Sequence, residues 1–125
     1  MQTGNQKLLA DTNVILYLLS GNEEVRDLLN GYEIFISVIT ELEILRFPSL
    51  TKKQFEAVKE SLQQLKIIDI NKQIKEIVYK ISGERKIKLT DCLIVATAAY
   101  LNIPLITADK ALGNIPSVNT ILINI

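Results

Sequence analysis

The chain has no histidine and a single cysteine among its 125 residues. Without histidine it has no imidazole for general acid–base work, no His-containing catalytic triad, and none of the His-based zinc or iron sites. The lone thiol, Cys92, cannot close an internal disulfide, and within an apolar stretch it reads as a buried thiol in a reduced cytoplasm. Soft and borderline metals therefore lack ligands, and a bound metal has to be a hard, oxygen-seeking cation such as Mg2+ or Mn2+. Long hydrophobic runs are missing too: none approaches the roughly 18 residues of a membrane span. The polar start, Met1 to Lys7, does not have the form of a signal peptide. Net charge is also absent, with 14 basic side chains against 14 acidic ones. This excludes the overall basic footprint of a stand-alone, high-affinity nucleic-acid binder but leaves room for a local basic strip. Lys80, Arg85, Lys86 and Lys88 crowd into nine residues, which is either a solvated connector or such a strip.

What remains is an ordinary globular composition, 48% apolar and 22% charged, in a length that makes one domain. Lys7–Ala10, Glu33–Ser37, Lys66–Ile70, Pro104–Thr107 and Thr120–Ile125 read as short apolar strands. Between them run helical segments: Thr12–Leu19, Glu23–Asn30 closed by Gly31, about Val38–Arg46, Lys53–Leu65, and a helix capped by Asn71 that reaches about Ser82. A further helix covers Lys88–Tyr100 with Thr90 as its expected N-cap, and a short turn of helix starts at Asp109. Apolar strands alternating with helices predict an α/β fold whose parallel sheet is covered on both faces. In such sheets ligands bind at the carboxyl ends of the strands.

The acids fall at those ends. Asp11 follows the first strand and Asp109 lies two residues beyond Thr107; Glu41 and Glu43 lie in the helix leaving the second strand. Asp91 stands three residues before Ile94 on the stripe Ile94, Ala98, Leu101, so the first turn of an apolar helix points a carboxylate inward. Each acid has a local explanation. Asp11 and Asp109 fit N-caps, Thr40–Glu43 fits a capping box, and the helix dipole satisfies Asp91. Together, acids converging on one crevice raise one another's pKa unless a divalent cation neutralises them. Carboxylate-held Mg2+ without histidine is typical of phosphodiester and phosphoryl chemistry. Periodicity alone does not choose between Glu41 and Glu43, which flank the apolar face on opposite sides.

Four stretches, in order, resemble the successive motifs of the PIN-domain family: Leu8–Val14 (LLADTNV), Ile36–Ile44 (ISVITELEI), Leu89–Ala98 (LTDCLIVATA) and Pro104–Asp109 (PLITAD). They are most similar to the toxin ribonucleases of bacterial VapBC toxin–antitoxin modules, and the likeness spans essentially the whole chain, implying a single PIN domain over residues 1–125. It implies a three-layer α/β/α sandwich around a mainly parallel sheet of about five strands. It also implies a metal-dependent endoribonuclease whose Asp11, Glu43, Asp91 and Asp109 hold one or two Mg2+ or Mn2+ ions, leaving 5′-phosphate and 3′-hydroxyl ends. Thr12, Asn13 and Thr107 would orient those ligands, and Arg85, Lys86 and Lys88 would meet RNA. The resemblance further implies a cytoplasmic homodimer silenced by an antitoxin whose tail lies along the helices near the site, with Val14–Leu19 and Ile39–Leu45 as groove walls. The sequence departs from the pattern in two places: Leu45–Phe47 replaces a frequent aromatic-Gly pair, and Glu41 is an additional acid.

Other classes fit less well. A haloacid-dehalogenase-like site needs Asp-x-Asp after the first strand, where Asp11 is followed by Thr12 and Asn13. A response-regulator receiver needs an acidic pair there and an Asp after the third strand, whereas Asp69 is expected inside it. The remaining alternative is a catalytically silent PIN-like module that binds RNA or protein without cleaving.

Overall fold

A computed structural model describes residues 6–125; the polar start, Met1 to Asn5, lies outside the described residues. Five strands form one wholly parallel sheet: β1 (Lys7–Ala10), β2 (Glu33–Ser37), β3 (Lys66–Ile68), β4 (Leu105–Thr107) and β5 (Thr120–Leu122). Their spatial order is β3-β2-β1-β4-β5. From β1 the chain winds outward to β2 and β3, then returns to the other side of β1 for β4 and β5. The direction of winding therefore reverses between β1 and β4, and a crevice opens there at the carboxyl ends of the strands.

Side-chain alternation gives the sheet two apolar faces. Leu8, Ala10, Ile36 and Ile106 pack with Val14, Ile15, Val25, Leu29, Ile44 and Leu62. These come from α1 (Thr12–Leu19), α2 (Glu23–Leu29), α3 (Val38–Leu45) and α4 (Lys52–Leu62). Leu9 and Leu105, with Phe35 and Ile68, pack on the other face against α5 (Lys72–Glu84) and α6 (Leu89–Leu101). A strand whose neighbouring residues all enter a core reads as continuously apolar, which is why Leu8-Leu9-Ala10 shows no polar alternation. The result is the three-layer α/β/α sandwich expected from the sequence.

Local chemistry sets the boundaries. A reciprocal capping box between Thr51 and Gln54 starts α4 one residue before the expected Lys53. The helix stops at Leu62, not Leu65, because the chain turns there, with Leu65 N–H bonded to the Leu62 carbonyl. Gly31, at φ +90°, reverses the chain between α2 and β2, and Asn102 takes the left-handed position that ends α6. β3 ends at Ile68, so Asp69 follows the strand instead of lying within it; it is exposed and takes no part in the crevice beside β1.

Two capping expectations are corrected. Thr90 does not cap α6: Cys92 N–H bonds to the Lys88 carbonyl, which makes Lys88 the cap residue and places Thr90 in the first turn. Among the described residues, no side chain caps this end. Nor does Thr40 open a capping box with Glu43, because Ser37 caps α3 through Ile39 N–H and Thr40 lies inside the helix, fully buried.

Candidate functional site

At the reversal point a cleft of about 260 Å3 is lined by Asp11, Glu43, Asp91 and Asp109, together with Thr12, Asn13, Lys88 and Thr90. Leu16, Ile94 and Phe47 supply its apolar wall. The fold thus brings to one cleft acids that lie up to 98 positions apart. Of the two glutamates that periodicity left open, Glu43, the one the resemblance singles out, enters the cleft and Glu41 does not. Two helical positions separate them, a turn of about 200° around the axis. Arg85 is engaged elsewhere, donating to the Asn114 carbonyl at 3.1 Å, and Arg85 and Lys86 do not line the cleft.

Asp11 is only 6% exposed and fills two roles. Its Oδ1 accepts from Val14 N–H at 3.0 Å, capping α1, while its Oδ2 accepts from the Thr107 hydroxyl. Thr107 Oγ1 in turn accepts from Asp109 N–H at 3.0 Å, so one buried hydroxyl ties the acid after β1 to the loop after β4. Asp109 also caps the short 3-10 turn Lys110–Leu112, accepting from Ala111 N–H. The capping reading of Asp11 and Asp109 therefore holds alongside their place in the cleft.

Glu43 is positioned from α1. Its Oε1 accepts from the Thr12 hydroxyl at 2.6 Å, and that hydroxyl lies 3.0 Å from Thr40 Oγ1. Thr40 was missed as a member of this cluster. The available signal was its spacing of three from Glu43, which puts both on one face of α3.

The carboxylates sense one another. Burial pushes Asp11 above the ordinary carboxylate value; the Thr107 and Val14 hydrogen bonds oppose the shift, and the charges of Asp91 and Asp109 add to it. Asp91 is also raised, first by burial, with Asp109 and Glu43 adding to the effect and Lys88 pulling it back. Among the described residues, no three carboxylates stand close enough to enclose a single ion. The donor set nevertheless suits a hard divalent cation: every ligand is an oxygen, and Mg2+ is commonly held by one or two carboxylates while keeping several waters.

A pH dependence follows. Asp11 and Asp91 have folded-state pKa values above their unfolded values, so between the two the folded protein binds more protons and its stability falls as pH rises. Their contribution is fully present below the unfolded value of about 3.9. It is lost as pH climbs through the raised folded values. Urea titrations in EDTA at a series of pH values should show this loss in the wild type and a smaller one in Asp91→Asn.

Comparison with known proteins places the architecture. The PIN domain family profile matches residues 8–117. A toxin–antitoxin complex from Klebsiella pneumoniae contains a chain 32% identical, with a TM-score of 0.79 over 89% of this chain and 94% of that one. VapBC-1 from nontypeable Haemophilus influenzae matches at 26% identity and a TM-score of 0.77, covering 94% of this chain and 98% of that chain. VapBC2 from Rickettsia felis, bound to a DNA fragment from its promoter, shares the fold with a TM-score of 0.81 at 22% identity, over 94% and 98% of the two chains. No curated protein sequence matches. With the profile spanning nearly all of the sequence, from the first strand to beyond the fourth, the chain belongs to the PIN-domain family.

Proposed function

We propose that the protein is a metal-dependent endoribonuclease, a single PIN domain over residues 1–125, acting as the toxin of a VapBC-type pair in the cytoplasm. The observation that carries this reading is the gathering of Asp11, Glu43, Asp91 and Asp109 in one cleft at the sheet's reversal point, in a chain of this family. These four side chains would hold Mg2+ or Mn2+. When bound, the cation supplies hydroxide from water at neutral pH and positive charge for the scissile phosphate. Asp11 and Asp91 would be the most direct ligands, with Asp91 half-buried in the first turn of α6. Asp11, with both oxygens already accepting hydrogen bonds, is held rigidly. Thr107 fixes Asp11, Thr12 fixes Glu43, and Asn13 lies beside them on the cleft wall.

Lys88 is the sole basic side chain lining the cleft, and it makes no ion pair within 4 Å among the described residues. In this reading it meets an RNA phosphate beside the acids, while Arg85 and Lys86 extend the strip. In the cleavage-deficient Asp91→Asn background, Lys88→Gln should weaken binding to single-stranded RNA of every sequence tested. It should also reduce the slope of log Kd on log salt by about 0.7, one phosphate contact's worth. Fluorescence anisotropy across a salt series measures both.

An antitoxin partner is supported by the structural neighbours, which come from toxin–antitoxin complexes. Tyr17, Leu19 and Leu42 leave α1 and α3 with exposed apolar side chains for such a tail, whereas Val14, Ile15 and Ile44 belong to the core. A homodimer completes the proposed assembly. The silent-module reading draws on one observation, the lack of three carboxylates enclosing a common point. Incubating a mixed single-stranded RNA pool with the protein in Mn2+ and in EDTA separates the two readings: the nuclease cleaves only with metal, and the silent module does not cleave at all.

A further inference from the structure

We infer that Thr40 is a positioning residue that holds Glu43 in the cleft through a directed hydroxyl relay, Thr40 to Thr12 to Glu43. The inference rests on the metal-dependent reading above and extends it to a residue outside the cleft wall.

The direction of the relay follows from counting protons. An ionised carboxylate only accepts, so the 2.6 Å contact commits the single hydroxyl proton of Thr12 to Glu43 Oε1. The 3.0 Å contact between Thr12 and Thr40 must then be donated by Thr40. Thr97, in the middle of α6, gives its proton to the carbonyl four residues back, Leu93, at 2.7 Å; for Thr40, in the first turn of α3, the residue four back is Ile36 of β2. Thr40 gives its proton across to α1 instead. It is 0% exposed, so water does not compete for that proton.

The consequence is mechanical. Glu43 has three rotatable side-chain bonds, and nothing else among the described residues hydrogen-bonds its carboxylate. The relay anchors Oε1 to the buried wall, leaving Oε2 available, and it staples the start of α1 to α3 on either side of the cleft. Outer partners of this kind typically alter metal affinity by about 10- to 100-fold when removed.

Mn2+ binding to the full chain, followed by the electron paramagnetic resonance signal of the free ion, tests the relay. Thr40→Val keeps the volume and removes the donor, and it should weaken binding by about tenfold. Thr40→Ser restores the donor and should bind within about twofold of wild type, since donor geometry and not bulk sets the effect. Thr12→Val breaks the same chain from the cleft side, so it serves should Thr40→Val fail to fold, and the double variant should cost no more than either single one. Unchanged Mn2+ affinity in Thr40→Val or Thr12→Val would overturn the relay, as would a serine variant as weak as the valine one. A wild type that binds no Mn2+ at all would overturn the nuclease reading and the relay with it.

Discussion

Asp91→Asn should abolish cleavage while making the metal-free protein more stable. Asp91 carries a carboxylate raised by burial and by the charges of Asp109 and Glu43, with Lys88 as its only compensation. In the absence of metal that charge is a liability, and removing it relieves repulsion across the cleft. The group is half-buried and opens onto the solvent-filled cleft, so solvent screens part of the effect, and the gain should stay below about 1 kcal/mol. That corresponds to a rise of about 1–4 °C in the melting temperature in EDTA. The catalytic consequence runs the other way. Loss of one charged ligand removes several kcal/mol of transition-state stabilisation, so cleavage should fall by at least on the order of a hundredfold. Calorimetry in EDTA beside a cleavage assay reads both signs. A variant destabilised in EDTA would mean that Asp91 is retained for the fold.

Asp11→Ala should instead lose both stability and activity. Its Oδ1 caps α1 through Val14 N–H and its Oδ2 accepts from the buried Thr107 hydroxyl. Removing an N-cap costs about 1 kcal/mol. Leaving a buried hydroxyl without its acceptor costs a further 1–3 kcal/mol or so. Relief of the buried charge offsets part of this, giving a net loss of about 1–3 kcal/mol in urea denaturation. Asp11→Asn keeps the capping oxygen and should recover most of the stability but none of the cleavage. The amide nitrogen would face Thr107 Oγ1, which already accepts from Asp109 N–H, and the threonine proton would need a new acceptor. The contrast between the two variants separates the structural role of Asp11 from its proposed role in the site.

Much of the fold was legible because local and global signals agree. The strand Leu8-Leu9-Ala10 is apolar on both sides since it lies at the centre of the sheet, and Asn71, Gly31 and the Pro48 that follows α3 punctuate the chain where the sequence says. The position of the site was legible for the same reason: acids placed after parallel strands reach one crevice once the strand order reverses beside β1.

The details that were not legible depend on neighbours far away in sequence. Glu41 and Glu43 flank the same apolar face symmetrically, and the choice is made by Thr12, which lies 31 residues from Glu43 and reaches only one of them. Thr40 with Glu43 has the spacing of a capping box, a Ser or Thr cap three residues before a Glu, but Ser37 holds the cap position. Thr90 was displaced for a related reason. The cap position of α6 lies two residues earlier, at Lys88, and this end faces a cleft that local sequence does not reveal.

The central claim is that the four acids form a metal-dependent catalytic centre. The most direct test is thermal unfolding of metal-stripped protein with and without Mn2+, run beside cleavage of a mixed single-stranded RNA pool. The account predicts that Mn2+ raises the melting temperature and switches on cleavage, and that Asp91→Asn loses both responses. A wild-type melting temperature that does not move at millimolar Mn2+, with the RNA left intact, would contradict it.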